Sequence, residues 1–183
     1  MNGEDAMVTV LFVDIRDFTP FADQATAREA VALLNEYFGV VVPVLEEHGG
    51  YAYQFLGDGV LAVFGAPVAL PDHADRAVAA ARAIVAAVAE RLGERCRVSI
   101  GVNSGLVIAG TIGGGSRFEF GVIGDPVNVA ARVEQATRQT GDAVLVTEAT
   151  RCLMERDGLE PRGTLALKGK PAPVAVYALG AER

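Results

Sequence analysis

The sequence predicts an α+β fold, a ferredoxin-like two-layer sandwich whose β-α-β-β-α-β core is followed by additional C-terminal strands and helices. Three observations carry this prediction. Strand-like apolar runs alternate with helix-period segments over residues 7–111, an Asp-Gly hairpin joins the second strand to the third, and no internal repeat or low-complexity tract interrupts the 183 residues. With 51% apolar residues the chain can bury a proper core, and one domain over residues 1–183 is expected.

The elements follow in order. Residues 7–15 are rich in Val, Phe and Leu and read as a central strand. Ala27, Ala30, Val31, Leu34, Tyr37, Phe38, Val41 and Leu45 then recur at helical spacing, Gly49-Gly50 closes the helix, and Pro43 is expected to bend its last turn. Residues 51–56 and 60–64 flank Gly57-Asp58-Gly59, a tight hairpin expected to leave Asp58 exposed. Residues 72–92 form a second amphipathic helix, and residues 97–103 and 106–111 read as two strands around a turn at Ser104-Gly105. In this topology the first strand lies beside the third, so Asp14 and Asp58 meet at one edge. A flexible glycine run at 113–115 leads to a short strand at 118–122. Next come a helix from Pro126 to about Gln139 with Asp125 as N-cap, a strand at 143–146 and a short helix at 148–155. Residues 159–167 and 174–179 close the chain as a hairpin.

Composition narrows the function. Sixteen basic against 23 acidic residues give a net charge of −7, which argues against broad contact with nucleic acid or anionic lipid and favours a small substrate. Cys96 and Cys152 share no metal-ligand spacing with each other or with His48 and His73, so no zinc site or disulfide framework is indicated. Asp17, His48 and His73 read as surface residues. No apolar run reaches the roughly 18 residues of a membrane span and residues 1–6 lack signal-peptide character. A cytoplasmic location is expected, either for the chain alone or for it as the catalytic part of a larger or membrane-attached protein.

Two positions carry the chemistry. Asp14 ends the first strand and Asp58 sits in the hairpin. An ionised carboxylate at a buried strand end costs several kcal/mol unless a cation or hydrogen bonds offset it, about the scale set by buried-charge desolvation. Two such positions suggest a shared cation. Hard oxygen ligands select Mg²⁺ or Mn²⁺, and so few of them leave coordination positions open for substrate phosphates, so phosphoryl or nucleotidyl transfer is the first expectation. Asn128 and Arg132 stand i and i+4 in the first two turns of the helix after Gly124, an amide and a guanidinium suited to a sugar oxygen and a phosphate gaining charge.

Four segments complete the reading: Phe12-Val13-Asp14-Ile15-Arg16-Asp17-Phe18-Thr19, the stretch 55–65 around Leu56-Gly57-Asp58-Gly59, the stretch 122–132 from Val122 to Arg132, and Leu167-Lys168-Gly169-Lys170. In type and order they resemble the signature segments of class III nucleotidyl cyclases. The resemblance implies a homodimer with two active sites at its interface, each built from both protomers. Asp14, Asp58 and the Ile15 carbonyl would hold two divalent metal ions, Mg or Mn, and the backbone at Phe18 and Thr19 would cradle phosphates. Asn128 would orient the ribose and Arg132 would stabilise the α-phosphate in the transition state, both reaching the opposite protomer's site, with Lys168 or Lys170 on the terminal phosphates. The implied reaction is attack of the ribose 3′-oxygen on the α-phosphorus of ATP, giving 3′,5′-cyclic AMP and pyrophosphate.

Two positions depart from the adenylate-cyclase pattern. Gln54 replaces the usual Lys four residues before the hairpin Asp, and Gly121 replaces the Asp or Thr four residues before Asp125. Gln54 can donate or accept and Gly121 offers no side chain, so the purine pocket, completed by the backbone at Val122 and Ile123, favours ATP narrowly. A guanylate or mixed-specificity cyclase acting on GTP is the alternative, and a catalytically silent dimerisation module is the reading from another class.

Overall fold

The computed structural model describes residues 3–114, 116–156 and 158–180. The sheet is built on β1 (Glu4–Ile15), whose central residues 8–13 are all buried. β1 continues through Asp14 and Ile15 into a short helix, α1 (Phe18–Gln24), by way of Asp17, the one described non-glycine residue with positive φ, at 59°. α2 (Ala27–Glu47) opens on a reciprocal capping box in which the Thr26 hydroxyl accepts from the Glu29 amide and the Glu29 carboxylate accepts from the Thr26 amide. This helix runs through Pro43 to Glu47, and the carbonyl that Pro43 cannot bond belongs to Gly39, which is exposed.

β2 (Tyr51–Leu56) and β3 (Gly59–Phe64) form the expected hairpin, and α3 (His73–Leu92) packs behind them. The next element corrects the expectation. Residues 98–114 are one continuous strand, β4 (Val98–Gly114), with no turn at Ser104-Gly105. Ser104 pairs with Thr9 and Gly105 with Val8 inside the antiparallel β1–β4 ladder. Glycine serves here because a Cβ at position 105 would fall 2.5 Å from Pro126 Cγ. β5 (Arg117–Ile123) folds back on the far half of β4, whose last residues include Gly113 and Gly114, while Gly115 lies outside the described residues. α4 (Asp125–Thr140), β6 (Val144–Thr147), the single turn α5 (Glu148–Arg151), β7 (Leu159–Leu165) and β8 (Val174–Leu179) complete the chain.

The sheet order is β2-β3-β1-β4-β6-β8-β7, with β5 also on β4. All pairings are antiparallel except β4–β6. Alternation along β1 sends Leu11, Val13 and Ile15 into a core with Tyr37 and Leu45 of α2 and Ala77 and Ile84 of α3. The opposite residues, Val8, Val10 and Phe12, meet Ala130 of α4. The α2–α3 layer matches the expected sandwich, and α4 adds a helix on the other face, seated where Gly101 leaves room: a Cβ there would lie 2.3 Å from the Ala130 carbonyl and the Glu134 amide nitrogen. Among the described residues no helix is long and apolar enough to cross a membrane.

Candidate active site

The β1–β3 register pairs Asp14 with Gly59, next to Asp58 at the hairpin tip. The two carboxyl side chains come within hydrogen-bonding reach of each other. Asp58 is half-buried rather than exposed, because it turns inward to Asp14. Burial first, then the hydrogen bond and the repulsion from Asp58, push the Asp14 carboxyl up to about 8, with Glu134 adding repulsion. Only the Ile15 amide, donating to Asp14 Oδ1 at 2.9 Å, opposes the rise. Among the described residues no cluster of three or more His, Cys, Asp and Glu side chains forms a closed metal cage. Two half-buried carboxylates side by side, all-oxygen, with the charged form of Asp14 disfavoured by its surroundings, fit a hard divalent cation that keeps positions for substrate oxygens.

Around this pair the backbone is fixed by Arg16, whose Nε donates to Ser99 Oγ at 3.0 Å and whose Nη2 donates to the Asp142 carbonyl at 2.9 Å. Phe18 and Thr19 follow at once as the first residues of α1, half-buried and exposed respectively.

A second group forms on α4. The helix N-cap is Gly124 and not the expected Asp125, and no side chain caps it. Asp125 instead sits in the first turn and forms an ion pair with Lys170, so its carboxylate is engaged by a neighbour rather than by the helix amides. Asn128 is exposed, and the Arg132 guanidinium donates to the Lys168 carbonyl. Gly169, at φ +83°, lets the turn approach Arg132, and Leu167 anchors it by packing with Val129 and Val133. Arg132, Lys168 and Lys170 are thus assembled on α4 and the turn it carries. The two lysines separate: Lys170 is paired with Asp125, and Lys168 is exposed. Among the described residues no hydrogen bond or ion pair joins this group to Asp14 or Asp58.

The purine positions lie on β2 and β5. Gln54 is exposed at an irregularity in the β2–β3 ladder, and its neighbour Tyr53 packs edge-on against Phe120, ring centroids 6.4 Å apart, beside Gly121. Gly121 is not simply an empty place, since a Cβ on it would lie 2.1 Å from Ile112 Cδ1. An isoleucine from β4 fills the space that a side chain at 121 would take. Val122 is buried and Ile123 exposed at the end of β5.

Glu134 has no place in the sequence reading, and His73 and His48, expected at the surface, lie elsewhere. Glu134 on α4 is 1% exposed, its Oε1 has no partner among the described residues, and burial pushes its carboxyl up to about 7 against the lowering effect of Arg138 and Arg16. Its signal was an acid at position 134 between Val133 and Ala136 on the buried face of the helix. His73 is buried, not a surface residue, with Nδ1 at 2.7 Å from Thr9 Oγ1. His48 is also partly buried, its Nδ1 2.8 Å from the Val44 carbonyl.

A sheet that delivers two carboxylates to one edge and sets an Asn/Arg helix across its other face defines a nucleotidyl cyclase domain. The family model described as "Adenylate and Guanylate cyclase catalytic domain" matches residues 2–181, and the chain belongs to that class III family. It is similar over 98% of the solved chain to the adenylyl cyclase CyaB from P. aeruginosa, at TM-score 0.91 and 26% identity, with all of this chain covered. It is similar to the guanylyl cyclase Cya2 at TM-score 0.83 and 32% identity, covering all of this chain and 96% of that one. The uncharacterized protein Rv1318c of Mycobacterium tuberculosis is 40% identical over 158 residues, 86% of this chain, and the match spans only 29% of that protein's length.

Proposed function

We propose that this chain is the catalytic domain of a homodimeric adenylate cyclase that converts ATP to 3′,5′-cyclic AMP and pyrophosphate. The reading is carried by the Asp14–Asp58 pair, two carboxylates held together at a partly buried sheet edge where their own repulsion calls for a cation. Two Mg²⁺ or Mn²⁺ ions bound there would lower the pKa of the ribose 3′-hydroxyl and offset the charge of the departing pyrophosphate. Asp14, Asp58 and the Ile15 carbonyl would hold them, while the Phe18–Thr19 backbone receives phosphate oxygens. Asn128 of the second protomer orients the ribose, Arg132 faces the α-phosphate, and Lys168 faces the terminal phosphates. The bond from the 3′-oxygen to the α-phosphorus forms as the bond from that phosphorus to the pyrophosphate oxygen breaks, and the hydroxyl proton passes to water. That no hydrogen bond or ion pair joins the two groups among the described residues supports sites completed by a second copy.

ATP is favoured because Gln54 lacks the fixed acceptor that guanine's edge requires, and the likeness to the adenylyl cyclase CyaB, at TM-score 0.91, supports it. Gly121, filled by Ile112, supports the GTP reading, as does the likeness to Cya2. The test is turnover of ATP and GTP by the purified protein with Mg²⁺ and with Mn²⁺. Cyclic AMP should dominate by a modest margin, on the order of 1–3 kcal/mol in selectivity. Asp14→Ala and Asp58→Ala should each cost at least ~10³ in rate. Mixed dimers of Asp14→Ala with Arg132→Ala should regain activity. Near-wild-type rates in both aspartate variants overturn the two-metal reading, no cyclic nucleotide from either substrate overturns the cyclase reading, and exclusive use of GTP overturns the choice of base.

A further inference from the structure

Away from the carboxylates, six buried polar side chains form one hydrogen-bonded line through the fold: Asn103, Thr147, Thr150, Ser104, Thr9 and His73. Thr147 Oγ1 donates to Asn103 Oδ1 at 2.8 Å and lies 3.4 Å from Thr150 Oγ1. Thr150 Oγ1 is 2.9 Å from Ser104 Oγ, Ser104 Oγ is 2.6 Å from Thr9 Oγ1, and Thr9 Oγ1 is 2.7 Å from His73 Nδ1. The line ends at α4, where Asn103 Nδ2 donates to the Pro126 carbonyl at 3.0 Å. The Asn103 amide has one workable orientation, because flipping it would set its oxygen against the Pro126 carbonyl oxygen.

Besides this bond, the first turn of α4 is held by the Asp125–Lys170 ion pair, which lies on its exposed side, and by packing. Its N-cap glycine supplies no side chain, and Pro126 rests on Gly105 of β4. Asn128 lies two residues beyond the held carbonyl and Arg132 one further turn along. We propose that Asn103, locked by Thr147, is a positioning residue that sets the height and rotation of α4 and so aims Asn128 and Arg132. This rests on the composite-site reading above, in which α4 serves the opposite protomer's site.

The experiment pairs activity with subunit mixing. Asn103→Ala and Thr147→Val should lower kcat ~10–10²-fold, the scale of a small misplacement of catalytic groups, with Thr147→Ser close to wild type. The apparent affinity for Mn²⁺, set by Asp14 and Asp58, should stay unchanged. Asn103→Ala mixed with Asp14→Ala should recover, because one site then holds an intact metal half and an intact α4. Asn103→Ala mixed with Arg132→Ala should not recover, because every site then has a damaged α4. Should Asn103→Ala fail to fold, the Thr147→Val and Thr147→Ser pair carries the same mixing test. Recovery with Arg132→Ala, failure with both partners, or full activity in the variants overturns the proposal. The control mixture of Asp14→Ala with Arg132→Ala tests the composite site by itself, and its failure would count against that reading alone.

Discussion

Glu134 is the residue whose surroundings ask most of it. It is buried with one oxygen unpartnered, and its carboxyl is pushed up to about 7 from an ordinary value of 4.5, chiefly by burial. Between those two pH values the native state holds a proton that the unfolded state has lost, so stability falls as pH rises through the window. The loss is on the order of 3 kcal/mol at most, taking about 1.4 kcal/mol per pKa unit. Glu134→Gln removes the titration, so the difference in urea-denaturation stability between variant and wild type should grow in the variant's favour from pH 4.5 to 7 and then level off. A flat difference would show that Glu134 is solvated in the native state. The meeting of Asp14 and Asp58 was legible in the sequence because a carboxylate ending an apolar run stands out and β1 lies beside β3, and the placement of Asn128 and Arg132 on one helix because their spacing is that of a helical turn. Glu134 was not, since an acid inside an amphipathic helix ordinarily marks the solvated side. Gly121 was half-legible: its missing side chain is in the sequence, whereas Ile112 filling that space depends on the β4–β5 register.

At the scale of elements, the hairpin, the long helices and the closing strands were readable from period and turn chemistry. β4 was misread, because Ser-Gly is ordinary turn chemistry and nothing local says that a helix will press on that glycine. The same pressure is greater at Gly101, where the neighbours within 3 Å of an added Cβ are all backbone of α4 and cannot rotate away. Gly101→Ala should therefore cost about 1–3 kcal/mol, the usual cost of overpacking, and should depress activity by lifting α4. Gly39→Ala on the exposed face of α2, where an added Cβ meets nothing within 4 Å, should instead stabilise by about 0.5–1 kcal/mol. Urea midpoints of the two variants check both signs, and equal effects would remove the case for close helix–strand contact at Gly101.

For the molecule as a whole, the arm made by β4 and β5 leaves Leu106, Ile108, Ile112 and Ile123 between 45% and 59% exposed, with Phe118 at 56%. So much uncovered apolar surface on two paired strands supports a second copy as its cover. Leu106→Glu should yield a folded monomer by sedimentation, inactive because neither site can be completed; an active monomer would end the shared-site reading.

β4 itself is 17 residues long, a girder of about 56 Å at ~3.3 Å per residue. It passes Asp14 at Ser99, bears α4 on Gly101, Asn103 and Gly105, and ends in the arm. One strand is thus common to the carboxylate pair, to the helix that carries Asn128 and Arg132, and to the exposed arm.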